Sequence, residues 1–122
     1  MRPRIKKHDP KSEYYFREGC FITELSNDDH DSAVSLARAR VEAGRITAWH
    51  ALRDTVERYV ILEGSGLVEI GVLPSQNVAP GDVVIIPPGV RQRITCTGAS
   101  DLIFLAVCTP RFDPQNYIAL EE

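Results

Sequence analysis

The chain has 122 residues, 43% hydrophobic and 25% charged, which fits a single globular domain with a core of its own. A formal net charge of −3 argues against the basic face of a nucleic-acid binder, and no apolar run approaches the roughly 18 residues of a membrane span. Residues 1–12 hold Arg2, Arg4, Lys6, Lys7 and Lys11 with no apolar stretch behind them, so no secretory leader is expected.

In chain order, residues 1–19 read as a solvated N-terminal arm that reaches, at most, a partner subunit or an anionic ligand. Residues 27–32 read as a polar loop, whose Asp28, Asp29, His30 and Asp31 are a candidate for holding a cation. Short β-rich runs follow one another over 20–25, 35–42, 46–52, 56–62, 67–72, 83–86, 90–96 and 102–107. Turn signals divide them: Gly44, Gly64-Ser65-Gly66, Pro74-Ser75, Pro80-Gly81-Asp82, Pro87-Pro88-Gly89 and Gly98. Strands so spaced predict an all-β sandwich or closed barrel over 20–112, with 113–122 as a C-terminal tail that forms a short helix or a last strand. Cys20, Cys96 and Cys108 are odd in number and form no Cys-x-x-Cys pair. They are expected to be reduced core thiols of a cytoplasmic protein.

Period-two alternation sorts side chains to faces. Ile46, Ala48, His50 and Leu52 share one side, Glu57, Tyr59 and Ile61 another, and Val90, Gln92 and Ile94 a third. Polar groups set in apolar stripes are the informative ones, here His50, Glu57 and Gln92. Tyr59 adds a pocket hydroxyl, while Trp49, Arg91 and Arg93 fall on the outward side. Arg38, Arg40 and Glu42 form a wet face; if it lines the barrel mouth, the arginines select an anionic substrate. The runs 83–86 and 102–105 are apolar on both faces and need cover beyond the barrel interior. A second subunit is the simplest cover, so a homodimer is expected, with the folded-back arm as the rival explanation.

Two spaced motifs then stand out. Gly44 is followed by five residues, His50, Ala51, Leu52, four residues, Glu57, six residues and Gly64. Gly81 is followed by five residues, Pro87, Pro88, Gly89, two residues, Gln92, three residues and Cys96. The pair resembles the two motifs of the cupin family, G-x5-H-x-H-x3-4-E-x6-G and G-x5-P-x-G-x2-H-x3-N. That resemblance implies a double-stranded β-helix, or jelly-roll barrel, in which two histidines, the glutamate and a later histidine hold one divalent metal. His50 and Glu57 match that set. Leu52 stands for the second histidine, Gln92 for the last one and Cys96 for the closing asparagine.

What remains is a metal set of His50, Glu57 and Gln92, with one imidazole, one carboxylate and one amide for Fe, Mn, Zn, Ni or Cu. A missing histidine would have to come from His30 or His8. The rival reading is a metal-free pocket floor in which His50, Glu57 and Gln92 satisfy one another. The resemblance implies dioxygenase, isomerase, lyase or decarboxylase chemistry on a small molecule, with Glu57 or His50 as general base. The alternative is a binding or sensor module that orients its ligand with His50, Glu57, Gln92 and Tyr59 beside Leu52.

Overall fold

A computed structural model describes residues 1–121. Its strands are β1 (Tyr14–Phe16), β2 (Cys20–Ser26), β3 (Ser35–Val41), β4 (His50–Leu52), β5 (Val56–Glu63), β6 (Gly66–Ile70), β7 (Gln76–Val78), β8 (Val83–Ile86), β9 (Gln92–Cys96), β10 (Leu102–Thr109) and β11 (Tyr117–Ala119). They form two antiparallel sheets, ordered β1-β2-β3-β10-β5-β8 and β11-β4-β9-β6-β7. The sheets face each other as a jelly-roll barrel, with the inward side chains of both forming one core. No helix among the described residues is long and apolar enough to cross a membrane.

Side-chain size along two paired strands decides where the barrel is filled. β3 and β10 run antiparallel with Val41 opposite Leu102, Ala39 opposite Phe104, Ala37 opposite Ala106 and Ser35 opposite Cys108. At one end Val41, Leu102 and Phe104 close the interior with Ile61, Val68 and Ile94. At the other end the inward positions of both strands are small, so the barrel stays open there. Steric demand also fixes the crossover from β5 to β6. Gly64 has φ +82°, and a Cβ on it would lie 2.7 Å from the Asp101 carbonyl oxygen.

Residues 1–12 are exposed, as a solvated arm would be, but ion pairs at both ends of the segment hold it to the barrel. Glu13 binds Arg40 at 2.8 Å and Arg4 binds Asp28 at 3.0 Å, which ties the segment along β2 and β3. β1 pairs with β2, with Phe16 opposite Cys20, so the barrel begins before residue 20. Arg38 and Arg40 thereby face outward onto Glu13 and do not line the pocket. Of the polar loop, Asp28 is occupied by Arg4 and Lys6, and among the described residues it belongs to no cluster of metal ligands. The expected strand over 46–52 shortens to three residues, because 46–49 is anchored instead by Thr47 bonds to Ile94.

Candidate functional site

The open end of the barrel encloses a cavity of about 70 Å³. His50, Leu52 and Glu57 line it with Glu18, Cys108 and Tyr117. All three cysteines are free and buried, as expected.

β4 carries His50 between β11 and β9, opposite Ala119 on one side and Gln92 on the other. The imidazole side chain is 3% exposed and stacks on the Tyr117 ring at 5.1 Å and 14°. Its Nδ1 lies 2.9 Å from the Ala48 carbonyl oxygen. A carbonyl only accepts, so Nδ1 carries the proton and Nε2 presents a lone pair. Nε2 has no hydrogen-bond partner among the described residues, yet no fully enclosed side-chain nitrogen or oxygen among them is left unpaired. Nε2 therefore opens onto the cavity. Burial lowers the His50 pKa below its ordinary value, against the opposing pull of the Ala48 bond, so the ring is neutral at pH 7.

Glu57 comes from the inward face of β5, and its pKa is pushed up to about 7 by burial. Two hydrogen bonds offset part of that shift: Gln92 Nε2 donates to Oε1 at 2.9 Å, and the Cys108 thiol approaches Oε2 at 3.8 Å. Gln92 is fully buried, and its Oε1 accepts from the Tyr59 hydroxyl. Tyr59 packs on Phe104 at 4.3 Å. Tyr59 and Gln92 thus stand behind Glu57 and do not line the cavity, while Leu52 does.

Glu18 has no counterpart among the site residues expected from the sequence. It sits in the turn between β1 and β2, and its carbonyl accepts from Ala48 N–H at 2.7 Å. Its side chain is 13% exposed, and Oε2 lies 3.4 Å from His50 Nδ1. The Glu18 pKa rises to about 8, first through burial and then through the Glu57 charge, with Arg17 opposing. Burial drives both partners of this contact toward neutrality, so it joins a carboxylic acid to a neutral imidazole and is not an ion pair. The one signal in the sequence that could have found this turn is Gly19 after the aromatic run Tyr14-Tyr15-Phe16; in the structure Gly19 adopts φ +101°.

This donor set does not fit a divalent metal. Gln92, counted as the third ligand, has its amide oxygen engaged by Tyr59 and its amide nitrogen turned to Glu57. Leu52 presents hydrocarbon to the cavity. Among the described residues, no three His, Cys, Asp or Glu side chains are grouped as ligands, and neither His8 nor His30 lines the cavity. Gln92 instead supports the Glu57 carboxylate within a hydrogen-bonded chain that runs on to Tyr59.

Residues 37–108 match the cupin domain. The chain belongs to the cupin family. An uncharacterized protein of Methanocaldococcus jannaschii, MJ1618, is 31% identical over 117 residues, covering 94% of this chain and 93% of its own. The cupin barrel also resembles KdgF from a Halomonas species, with TM-score 0.74 and 15% identity over 88% of this chain and 91% of that one. The Streptomyces nucleoside dehydratase Pac13 is similar too, with TM-score 0.77 and 15% identity over 97% of this chain and 92% of its own. At such identities these two structures share the fold, and the fold hosts many chemistries.

Proposed function

We propose that this cupin is a small-molecule enzyme that moves protons with its own side chains, in an elimination or isomerisation of a compact substrate. The observation that carries the reading is the His50 ring, fixed through Nδ1 with a bare Nε2 facing the cavity. A neutral buried imidazole is a base, and its rigid tautomer aims the lone pair. Glu18 and Glu57 supply the complementary acid. As a coupled pair with values of about 8 and about 7, they keep at least one proton at neutral pH. Environments that push acid and base apart in this way are suited to removing a proton on one side of a substrate and returning it on another. The structural likeness to a nucleoside dehydratase supports the view that such a barrel can house an elimination.

The reading is tested in D2O with a panel of small ketones and β-hydroxy carbonyl compounds. Deuterium is expected to enter a substrate C–H position in the presence of EDTA. His50→Gln is expected to slow the exchange by roughly 100-fold or more. Exchange that requires added metal, or that His50→Gln leaves unchanged, contradicts it. Binding without exchange across the panel favours the module reading, in which the same groups only orient a ligand.

The homodimer is likewise proposed. β8 is the edge strand of the larger sheet, and its Val83 and Ile85 are 55% and 64% exposed. Val72 and Leu73 add exposed apolar surface, and the N-terminal segment lies at the opposite edge, along β2 and β3. An apolar edge strand left bare invites pairing. Sedimentation velocity at micromolar concentration should show a dimer that Ile85→Lys converts to monomer. A monomeric parent protein rejects the proposal.

A further inference from the structure

The polar groups around the cavity share one chemical bias. Glu18, Glu24 and Glu57 reach it from the β1–β2 turn, β2 and β5, and no lysine or arginine lines it. His50 Nε2 adds a fourth acceptor, because Nδ1 holds the only ring proton. Apart from hydroxyls, the Cys108 thiol and the protonated Glu18 carboxyl, nothing facing the cavity is a donor. The walls include Phe16 and Tyr117, whose rings meet edge to face at 5.3 Å. An acceptor-rich, aromatic-walled recess complements a cation carrying N–H donors.

We propose that the pocket takes a small organic amine in its ammonium form, held by the Glu57 carboxylate beside the Phe16 ring, which leaves His50 Nε2 free as the base. This assignment rests on the acid–base reading in that it fills the same cavity. A volume of about 70 Å³ admits a head group of only a few heavy atoms, since one water takes roughly 10–15 Å³ of such space. An anionic head would meet three carboxyls, and the nearest cation, Arg17, acts on Glu18 but lies over the Tyr117 ring at 4.7 Å and does not line the cavity. The two deep carboxyls divide the work. Glu57, whose carboxylate accepts from Gln92 Nε2, pairs with the ammonium, and Glu18 lies beside it against His50 Nδ1. Binding therefore expels a proton to the buffer over the range in which Glu57 and Glu18 titrate. Glu24 is also pushed upward by burial, whereas Cys108 and Tyr117 are raised above that range and His50 is lowered below it.

n-Butylamine, n-butanol and butyrate separate charge from shape. Chemical shifts of the His50 ring and neighbouring backbone amides report binding of each to the full chain. The amine is expected to bind about tenfold more tightly than the alcohol, and butyrate more weakly still. Amine affinity is expected to rise about tenfold from pH 6 to pH 8 as proton release becomes unnecessary. Glu57→Gln should erase the advantage of amine over alcohol. Butyrate or butanol binding as tightly as the amine, or no amine binding at 50 mM, overturns the assignment even if the variant fails to fold. Amine selectivity lost while His50-dependent deuterium exchange persists removes the ligand class alone. Exchange absent while the amine still binds removes the catalytic reading alone.

Discussion

Replacing Gln92 with leucine is expected to destabilise the fold by roughly 3 kcal/mol, although the side-chain volume hardly changes. Gln92 is fully buried, donates to Glu57 Oε1 at 2.9 Å and accepts from the Tyr59 hydroxyl. Leucine would strand both partners inside the barrel. An unpaired buried polar group costs about 1–3 kcal/mol, and two are created here. The better hydrophobic transfer of leucine recovers part of that loss. Urea unfolding followed by circular dichroism reads the difference directly. The variant should also raise the Glu57 pKa, because the Gln92 bond is the larger of the two hydrogen bonds holding it down. A loss below about 0.5 kcal/mol would mean that the Tyr59–Gln92–Glu57 chain is not a structural support.

Stability is expected to fall as pH rises from about 6.5 to 8, by roughly 2 kcal/mol. The sign follows from proton counts. Glu18 and Glu57 titrate near 8 and 7 in the fold, well above the ordinary carboxyl range near 4.5. Across this window the folded state binds protons that the unfolded state has already released, so alkali favours unfolding. Their stabilising contribution is complete below about pH 4.5 and disappears as pH passes the folded values. His50 acts in the opposite sense, since its pKa is lowered: its contribution is present above about 6.5 and is lost as pH falls. Above 6.5 that contribution is constant, so the carboxyls alone set the slope. Chemical unfolding at a series of pH values should show the decline, and Glu18→Gln with Glu57→Gln should flatten it. A profile that is level or rising from 6.5 to 8 in the parent protein contradicts the protonated pair.

Much of the barrel was legible because its strands alternate cleanly. Glu57, Tyr59 and Ile61 are all buried inward on β5, as are Gln92, Ile94 and Cys96 on β9. Trp49 points the opposite way from His50, and Arg91 and Arg93 each lie 4.4 Å from its ring outside the barrel. β1 and β7 were not legible, since three residues are too few to show a period, and of the short helix or last strand left open after Pro114 the structure has a single 3-10 turn and then β11. Those short strands matter most at the site. β1 leads into the turn that carries Glu18, and β11 brings Tyr117 onto His50.

The role of Gln92 could not be read from spacing either. Its place in the motif matches a metal ligand, and only the positions of Tyr59 and Glu57 reveal that both ends of the amide are already engaged. The same limit applies to Arg38 and Arg40. Alternation sets them on a wet face, but Glu13, twenty-five and twenty-seven residues away, decides that this face lies outside.

NMR titration of the Glu18 and Glu57 carboxyl carbons together with the His50 ring nitrogens, from pH 5 to 9, reaches the chemistry without any substrate. Carboxyl midpoints near 8 and 7 are expected, with a neutral ring protonated on Nδ1 at pH 7. Two carboxylates fully ionised by pH 5.5, or an imidazolium or Nε2-protonated ring at pH 7, would leave the cavity with neither the acid nor the base assigned to it.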